Sequence, residues 1–252
     1  MSILDKIVKN KKDELPSLKE EFKKITPEMR PREIITLPTN KNFIITEIKL
    51  ASPSSGEIIK KENIAQILDI YIKGKTDAVS IVVDRKYFKG DPCLIREVSS
   101  KINKPILFKE FIIDKWQINF AYSLGADIIL LIAEILDSKT LKKFYQIAEK
   151  LGLSVIFEVH TYKDLEKVLH LNPKFIGINN RDLNTFTVDI NRSILFSEVI
   201  PDEITKISES GINSSDEIKL LIEHGFNGFL IGTSLLKNKN PLLQLKEFTN
   251  VL

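Results

Sequence analysis

The sequence contains only one cysteine among its 252 residues. Cys93 therefore has no second cysteine with which to form a disulfide within the chain, which is typical of proteins in a reducing compartment, and we expect a cytoplasmic protein. No histidine lies near Cys93 in the sequence, so a catalytic thiol is not indicated. We expect its side chain to be buried and unreactive.

Long apolar runs are also missing from the sequence. No stretch approaches the ~18 consecutive apolar residues of a membrane-spanning helix, so we expect no association with a membrane. Residues 1–13 are rich in charge and lack the apolar core of a signal peptide.

Neither sign of charge is in large excess. The 37 lysines and arginines and 34 aspartates and glutamates give a formal net charge of +3. Nucleic-acid-binding proteins concentrate more positive charge on one face, so we expect no nucleic-acid partner. A smaller positive field inside a cleft would suit a phosphorylated small molecule.

Histidine is scarce, and the spacing of the three histidines does not match a set of metal ligands. His170 and His224 fall near the ends of predicted helices, where a cation is favourable. His160 follows Glu158 by two residues and is predicted to start a helix. We therefore expect no metal site.

The sequence does contain a repeated alternation of short apolar runs with longer helical segments of mixed charge. Buried parallel strands have this pattern, and eight such units over about 210 residues predict an α/β fold, a (β/α)8 TIM barrel. An open doubly wound sheet is the alternative, but no glycine-rich loop follows the first run. The predicted strands are residues 43–49, 78–84, 106–109, 127–132, 154–158, 175–179, 204–208 and 228–231.

The first part of the chain differs from this pattern. Residues 2–12 and 16–24 resemble two short amphipathic helices, and several prolines follow them. We predict an N-terminal helical extension over residues 1–40 and a catalytic barrel over residues 41–252. The extension could pack over the barrel mouth and assist substrate binding, or it could only stabilise the fold.

Polar residues stand where the predicted strands end. The carboxyl ends of barrel strands meet at one mouth, and a buried charge there needs a partner, water or a ligand. Two lysines and two carboxylates in one cleft could divide into acids and bases, although an ion-pair network that only closes the barrel is the alternative. The polar strand ends are Glu47 and Lys49, Lys109, Glu158, Asn179, and Glu209 with Ser210.

The two loops after the last strands suggest a phosphate site. Barrel enzymes often bind phosphate there, with glycines that allow close approach of the backbone and free N–H groups at a helix start. In this sequence the loops read ESGI at 209–212 and IGTS at 231–234.

Taken together, these motifs resemble the indole-3-glycerol-phosphate synthase family. The resemblance spans residues 45–235 in the family's order. Leu50 and Asp91 depart from the family pattern, which normally has a basic and a small hydroxyl residue there, and this puts loop packing in doubt rather than activity. The matching segments are ITEIKLASPS at 45–54, YFKG at 87–90, PILFKEFI at 105–112, GAD at 125–127, LLI at 130–132, GINNRDL at 177–183, ESGI at 209–212 and IGTSL at 231–235.

The resemblance implies a specific reaction of tryptophan biosynthesis. The family converts 1-(o-carboxyphenylamino)-1-deoxyribulose 5-phosphate to indole-3-glycerol phosphate with loss of carbon dioxide and water, and it uses no metal or organic cofactor. Lys109 would donate a proton to the ketone oxygen during ring closure. Glu47, Lys49 and Glu158 are the candidates for the acid and the base of dehydration, and their individual roles stay open.

The resemblance also implies the substrate contacts. Asn179, Glu209 and Ser210 would hold polar parts of the substrate, and Arg181 would bind its carboxylate unless Asp182 holds the guanidinium instead. The phosphate would be bound by Lys49, Ser52, Gly211, Gly232 and Ser234. The aromatic ring would lie against apolar side chains of Phe88, Phe111, Leu130 and Leu183.

Two rival functions are a different phosphosugar barrel enzyme, such as phosphoribosylanthranilate isomerase, and a barrel without activity that serves as a scaffold. An isomerase would not need a second lysine on the side of ring closure, and a scaffold has no need for the full set of charged strand ends. We expect a monomer whose only partner is its phosphorylated substrate.

Overall fold

The computed structural model describes residues 2–182 and 185–252, and in this part of the chain eight parallel strands close into a barrel. The order around the barrel is β1-β8-β7-β6-β5-β4-β3-β2, so each strand pairs with its neighbours in sequence and β8 pairs with β1. The (β/α)8 prediction is confirmed, and the open-sheet alternative is wrong. The strands are β1 (Phe43–Ile48), β2 (Ala78–Val82), β3 (Ile106–Lys109), β4 (Ile128–Ile132), β5 (Ser154–Val159), β6 (Phe175–Asn179), β7 (Thr205–Glu209) and β8 (Phe226–Ile231).

Helices cover the outside of this barrel, and an antiparallel pair, Ala51–Ser52 with Gly56–Glu57, follows β1. Short 3-10 helices occur at Pro27–Met29, Lys61–Asn63 and Ala133–Ile135. No helix in the described residues is long and apolar enough to cross a membrane. The α-helices are α1 (Ile3–Glu21), α2 (Ile64–Lys73), α3 (Arg85–Phe88), α4 (Cys93–Ser99), α5 (Lys115–Leu124), α6 (Ser138–Lys150), α7 (Tyr162–Leu169), α8 (Asn191–Ser197), α9 (Ser215–Glu223), α10 (Thr233–Leu236) and α11 (Pro241–Thr249).

The strands are apolar on both faces because they lie between two cores. One face packs against the helices, and the other fills the barrel interior with residues such as Ile45, Leu107, Ile156 and Ile207. Side chains two residues apart along a strand point to the same side. The residues two positions after these four, namely Glu47, Lys109, Glu158 and Glu209, therefore form a charged layer above the apolar interior.

The N-terminal region contains one long helix where the sequence predicted two. Helix α1 begins with a capping box between Ser2 and Asp5 and continues through Pro16. Proline interrupts helical hydrogen bonding, but the helix stays continuous because one face is buried on both sides of Pro16. The buried residues are Leu4, Ile7, Lys11, Leu15 and Leu18.

Three predicted strands are shorter than expected, and two of them stop short of an aspartate that has another role. Asp84 follows β2 and caps α3 by accepting from the Tyr87 N–H. Asp127 precedes β4 at the opposite end of the barrel from the mouth, where Arg30 and Arg32 of the extension pair with it. Cys93, expected to be buried, is exposed, because the first residue of α4 faces solvent.

Candidate active site

A cavity of about 470 Å³ opens at the carboxyl ends of the barrel strands. Every predicted site residue that the structure describes lines this cavity, and Leu183 lies outside the described residues. The structure therefore brings the predicted residues together in space. The lining includes Glu47, Lys49, Ser52, Phe88, Lys109, Phe111, Leu130, Glu158, Asn179, Arg181, Glu209, Ser210, Gly211, Gly232 and Ser234.

Lys109 lies between two buried carboxylates at the floor of the cavity. Its Nζ atom lies 3.3 Å from Glu158 Oε2 and also donates a short hydrogen bond to Glu209 Oε2. Burial disfavours the ammonium, but the charges of Glu209 and Glu158 outweigh this effect and raise the pKa of Lys109 above its ordinary value. Lys109 is therefore a cation in the free cavity.

The two carboxylates beside Lys109 differ in their affinity for protons. Burial opposes ionisation of Glu158, but Lys109 and His160 outweigh it and lower the pKa of this carboxyl. Burial raises the pKa of Glu209, although Lys109 acts in the opposite direction. When two carboxylates share one cation, ionisation of one raises the pKa of the other. Glu158 is therefore the carboxylate that stays ionised.

Glu47 and Lys49 form a second ion pair on the other side of the cavity. Lys49 Nζ lies 2.6 Å from Glu47 Oε1. Glycine at the facing position leaves room for this carboxylate, because a Cβ atom at Gly232 would lie 2.8 Å from Glu47 Oε1. The hydroxyl of Tyr71, a residue of α2 outside the barrel, donates to the Glu47 backbone carbonyl at 2.9 Å and holds the end of β1 in place. Lys49 and Lys109 thus each pair with carboxylates of the cavity that the other does not contact.

Asn179 links the charged floor to Arg181. Its Nδ2 atom donates to Glu158 Oε1 at 3.3 Å, and its Oδ1 atom accepts from the Arg181 backbone N–H at 3.0 Å. The Arg181 guanidinium donates to the Phe186 carbonyl. Asp182 pairs with Arg192, at 3.5 Å. Arg181 lines the cavity.

The loops after β7 and β8 form one wall of the cavity. Ser210 and Gly211 both have left-handed backbones, with φ of 68° and 85°, and a Cβ atom at Gly211 would lie 2.5 Å from Val188. The Asn180 side chain donates to the Ser210 carbonyl and holds this loop. The Ser234 hydroxyl donates to the Ile212 carbonyl at 2.7 Å, which joins the two loops. Lys49 and Ser52 also line the cavity.

The remaining wall is apolar. The rings of Phe88 and Phe111 lie 6.1 Å apart, and Leu130 is buried beneath the cavity. Ile3, Leu4 and Ile7 of α1 add to the apolar lining. The sequence left open whether the extension reaches the mouth, and the structure shows that α1 does.

Three contributions to the site did not follow from the sequence, although packing of the N-terminal extension over the mouth was one of two alternatives. The apolar residues of α1 gave no signal except the amphipathic pattern of the helix. Lys237, exposed after α10, also lines the cavity. His160 does not start a helix, because Thr161 is the N-cap of α7. The His160 ring instead lies beside Glu158. The sequence signal for this was that His160 follows Glu158 by two residues, the spacing at which side chains of a strand point to the same side.

Lys11 of α1 occupies the centre of a carboxylate cluster beside the cavity. In the described part of the chain, Glu14, Asp84 and Glu110 are the group of carboxylates close enough together to hold a metal ion. The Lys11 ammonium lies 2.9 Å from Asp84 and 3.0 Å from Glu110 and is fully buried. The lysine therefore supplies the positive charge that these carboxylates need.

Solved structures resemble this chain in fold. A 3-hexulose-6-phosphate synthase from Salmonella typhimurium superposes with a TM-score of 0.65 at 16% identity, over 83% of this chain and 98% of that chain. A thiamine phosphate pyrophosphorylase from Pyrococcus furiosus gives a TM-score of 0.60 at 10% identity, over 84% of this chain and 96% of that chain. At such low identity these similarities show the barrel fold alone.

Similarity in sequence is more specific. The family model described as indole-3-glycerol phosphate synthase matches residues 4–248. Proteins named indole-3-glycerol phosphate synthase are 41% identical in Legionella pneumophila strain Paris, over 95% of both chains, and 40% identical in Petrotoga mobilis, over 97% of this chain and 95% of the relative. The relative of that name from Aquifex aeolicus is 45% identical over 81% of this chain and 80% of its own length. The chain therefore belongs to the indole-3-glycerol phosphate synthase family.

Proposed function

We propose that this chain converts 1-(o-carboxyphenylamino)-1-deoxyribulose 5-phosphate to indole-3-glycerol phosphate, as a carboxy-lyase of tryptophan biosynthesis. The observation that carries the proposal is the position of Lys109, a cation shared by Glu158 and Glu209 on the floor of the cavity. Ring closure needs a proton donor at the ketone oxygen, and a protonated lysine held in place meets that need.

The lining of the cavity matches the three parts of this substrate. The apolar wall with Phe88, Phe111 and Leu130 would contact the aromatic ring. The carboxylate would face Arg181, whose planar guanidinium suits a carboxylate. The phosphate would bind at the wall formed by Ser52, Lys49, Gly211, Gly232 and Ser234. The Ser234 hydroxyl already donates to Ile212, so its backbone N–H is the donor that we assign to the phosphate.

Ring closure begins when the aromatic carbon that bears the carboxylate attacks the ketone carbon. Lys109 donates its proton to the oxygen, which becomes a hydroxyl. The bond to the carboxylate then breaks, carbon dioxide leaves, and the electron pair restores the aromatic ring. Asn179 and Ser210 hold the polar chain of the substrate during this step, and Glu209 orients Lys109, which its carboxylate contacts directly.

We assign dehydration to the Glu47–Lys49 pair. The Lys49 ammonium protonates the leaving hydroxyl, and the Glu47 carboxylate accepts the proton that departs from the neighbouring carbon. Because Glu47 and Lys49 are 2.6 Å apart, the accepted proton can return to Lys49 after water leaves. This step then neither consumes nor releases a proton. Glu158 takes no part in dehydration and instead holds the Lys109 ammonium by its negative charge.

The proposal is tested by a direct assay with the carboxyphenylamino ribulose phosphate. We expect indole fluorescence to appear together with one equivalent of carbon dioxide. An isomerase would release no carbon dioxide, and a scaffold would leave the substrate unchanged, so either result would reject the proposed reaction.

We also propose a monomer in the cytoplasm. The one cysteine is consistent with a reducing compartment. Light scattering of the purified protein across a range of concentrations tests the oligomeric state, and a mass of 28.8 kDa is expected throughout.

A further inference from the structure

Lys237 is a cation in the lining of the cavity that the proposed function does not use. It is exposed and directly follows α10, the short helix after β8. Within residues 2–182 and 185–252, its ammonium forms no ion pair and donates no hydrogen bond. The charge of Lys237 is therefore free to meet an anion in the cavity.

The two other lysines of the lining are held by carboxylates. Lys49 Nζ lies 2.6 Å from Glu47 Oε1. Lys109 lies between Glu158 and Glu209. Both lysines also donate protons in the proposed reaction, so neither keeps its positive charge throughout. A phosphate monoester carries about 1.5–2 negative charges at neutral pH, and it therefore needs a cation that takes no part in proton transfer.

The position of Lys237 places its side chain beside the wall assigned to the phosphate. The Lys237 N–H donates to the Thr233 carbonyl at 3.0 Å, so the backbone is still helical at this residue. Residues three apart on a helix lie on the same face, and Lys237 follows Ser234 by three. Both residues line the cavity. The long side chain of Lys237 can therefore reach a phosphate bound at the Ser234 backbone N–H.

We propose that Lys237 binds the phosphate of the substrate at the open side of the cavity and selects phosphorylated over phosphate-free compounds. The inference rests on the proposed function, which supplies the phosphate. Backbone N–H groups of the two loops orient the phosphate, and Lys237 supplies the positive charge as a mobile ammonium. With Arg181 assigned to the carboxylate, each anionic end of the substrate then meets a cation that donates no proton in the reaction.

The exposure of Lys237 gives this contact a signature. An exposed charge attracts an anionic ligand before it enters the cavity, and salt screens this attraction strongly. The KM of the wild-type enzyme should therefore rise with added sodium chloride, and the difference in KM between wild type and Lys237→Gln should narrow.

Steady-state kinetics with the carboxyphenylamino ribulose phosphate test the assignment at low salt. Lys237→Gln should raise KM by about tenfold, which is the contribution of one hydrogen bond to a charged group. Its kcat should change by less than about twofold, because the contact is the same in the ground state and the transition state. Lys237→Arg keeps the cation and should stay close to wild type. Lys239→Gln is the matched control, since it removes an equal charge at an exposed position outside the cavity lining.

A phosphate-free compound separates binding of the phosphate from a structural role of Lys237. The compound has a hydroxyl group in place of the phosphate, and it is measured by its inhibition constant against the normal substrate. This constant should be the same for wild type and Lys237→Gln. A structural change in the cavity would weaken binding of both compounds alike.

Inorganic phosphate gives a test that needs no turnover. Titration calorimetry should show binding to the wild-type protein and to Lys239→Gln, and binding to Lys237→Gln weaker by about tenfold. Equal affinities for wild type and Lys237→Gln would overturn the assignment. So would a matching rise of KM in Lys239→Gln, or an equal loss for the phosphate-free compound. The proposed function fails separately, if the wild-type protein forms no indole product, and the titration still decides whether Lys237 binds phosphate.

Discussion

Lys11 Nζ lies 3.0 Å from Glu110 Oε2, which joins the N-terminal helix to the residue that follows Lys109 in the chain. Asp84 completes the link from the end of β2 at 2.9 Å. Because α1 also places Ile3 and Ile7 in the lining of the cavity, this ion cluster sets the position of an apolar wall as well as a helix.

Replacement of Lys11 by methionine should destabilise the protein strongly. The variant leaves buried carboxylates without a cation, which costs about 3–5 kcal/mol in the free energy of unfolding. Urea denaturation measures this loss, and Lys12→Met at the exposed neighbouring position is the matched control. Adding Glu110→Gln to Lys11→Met should recover part of the loss. No recovery would mean that Lys11 acts through packing alone.

Glu110 should make stability depend on pH. Burial raises the pKa of Glu110 from 4.5 to about 7. Between these values the folded protein keeps a proton that the unfolded chain has lost, so stability falls as pH rises from about 4.5 to about 7 by at most about 3 kcal/mol. Glu110→Gln should reduce this slope in denaturation curves collected across the range, whereas Glu62→Gln, at an exposed site, should retain it.

Lys109→Met should abolish turnover with little change in fold. Methionine fills a similar volume but has no proton to donate, so we expect kcat to fall by more than about a hundredfold. The steady-state rate and the circular dichroism spectrum check both parts. Lys142→Met on the exposed face of α6 is the control. Turnover close to that of the wild-type enzyme would refute ring closure by Lys109.

Ser234→Asp should weaken substrate binding. A carboxylate beside the loops after β7 and β8 repels a phosphate dianion, so KM should rise with a smaller effect on kcat. Ser234→Ala removes only the hydroxyl that donates to Ile212 and should raise KM much less. Equal KM values for the two variants would place the phosphate elsewhere.

The positions of Lys109 and Glu158 could be predicted from sequence because they depend on local rules. Each ends a strand whose apolar residues alternate with a fixed period, and all parallel strands of a barrel end at the same mouth. His160 follows Glu158 by two residues and so carried the same information, but the strand was predicted to end at Glu158, one residue too early.

Contacts between distant segments could not be predicted in this way. Glu209 contacts Lys109 from one hundred residues further along the chain, and the sequence does not show which carboxylate faces which lysine. Two separate helices were predicted over residues 2–12 and 16–24, but α1 is continuous through Pro16 because its burial on the barrel outweighs the lost hydrogen bond. The exposure of Cys93 likewise depends on how α4 is rotated, which its short sequence does not fix.

Asp127 has a consequence for anyone who wishes to shorten this protein. It is fully buried, and Arg30, Arg32 and the Ile35 N–H all come to it from the N-terminal extension. A barrel trimmed to begin at its first strand would keep the carboxylate and lose both guanidinium groups. A smaller barrel therefore requires a neutral replacement for Asp127 in the same step as the truncation, and asparagine suits because it can still accept from the buried Ile106 N–H.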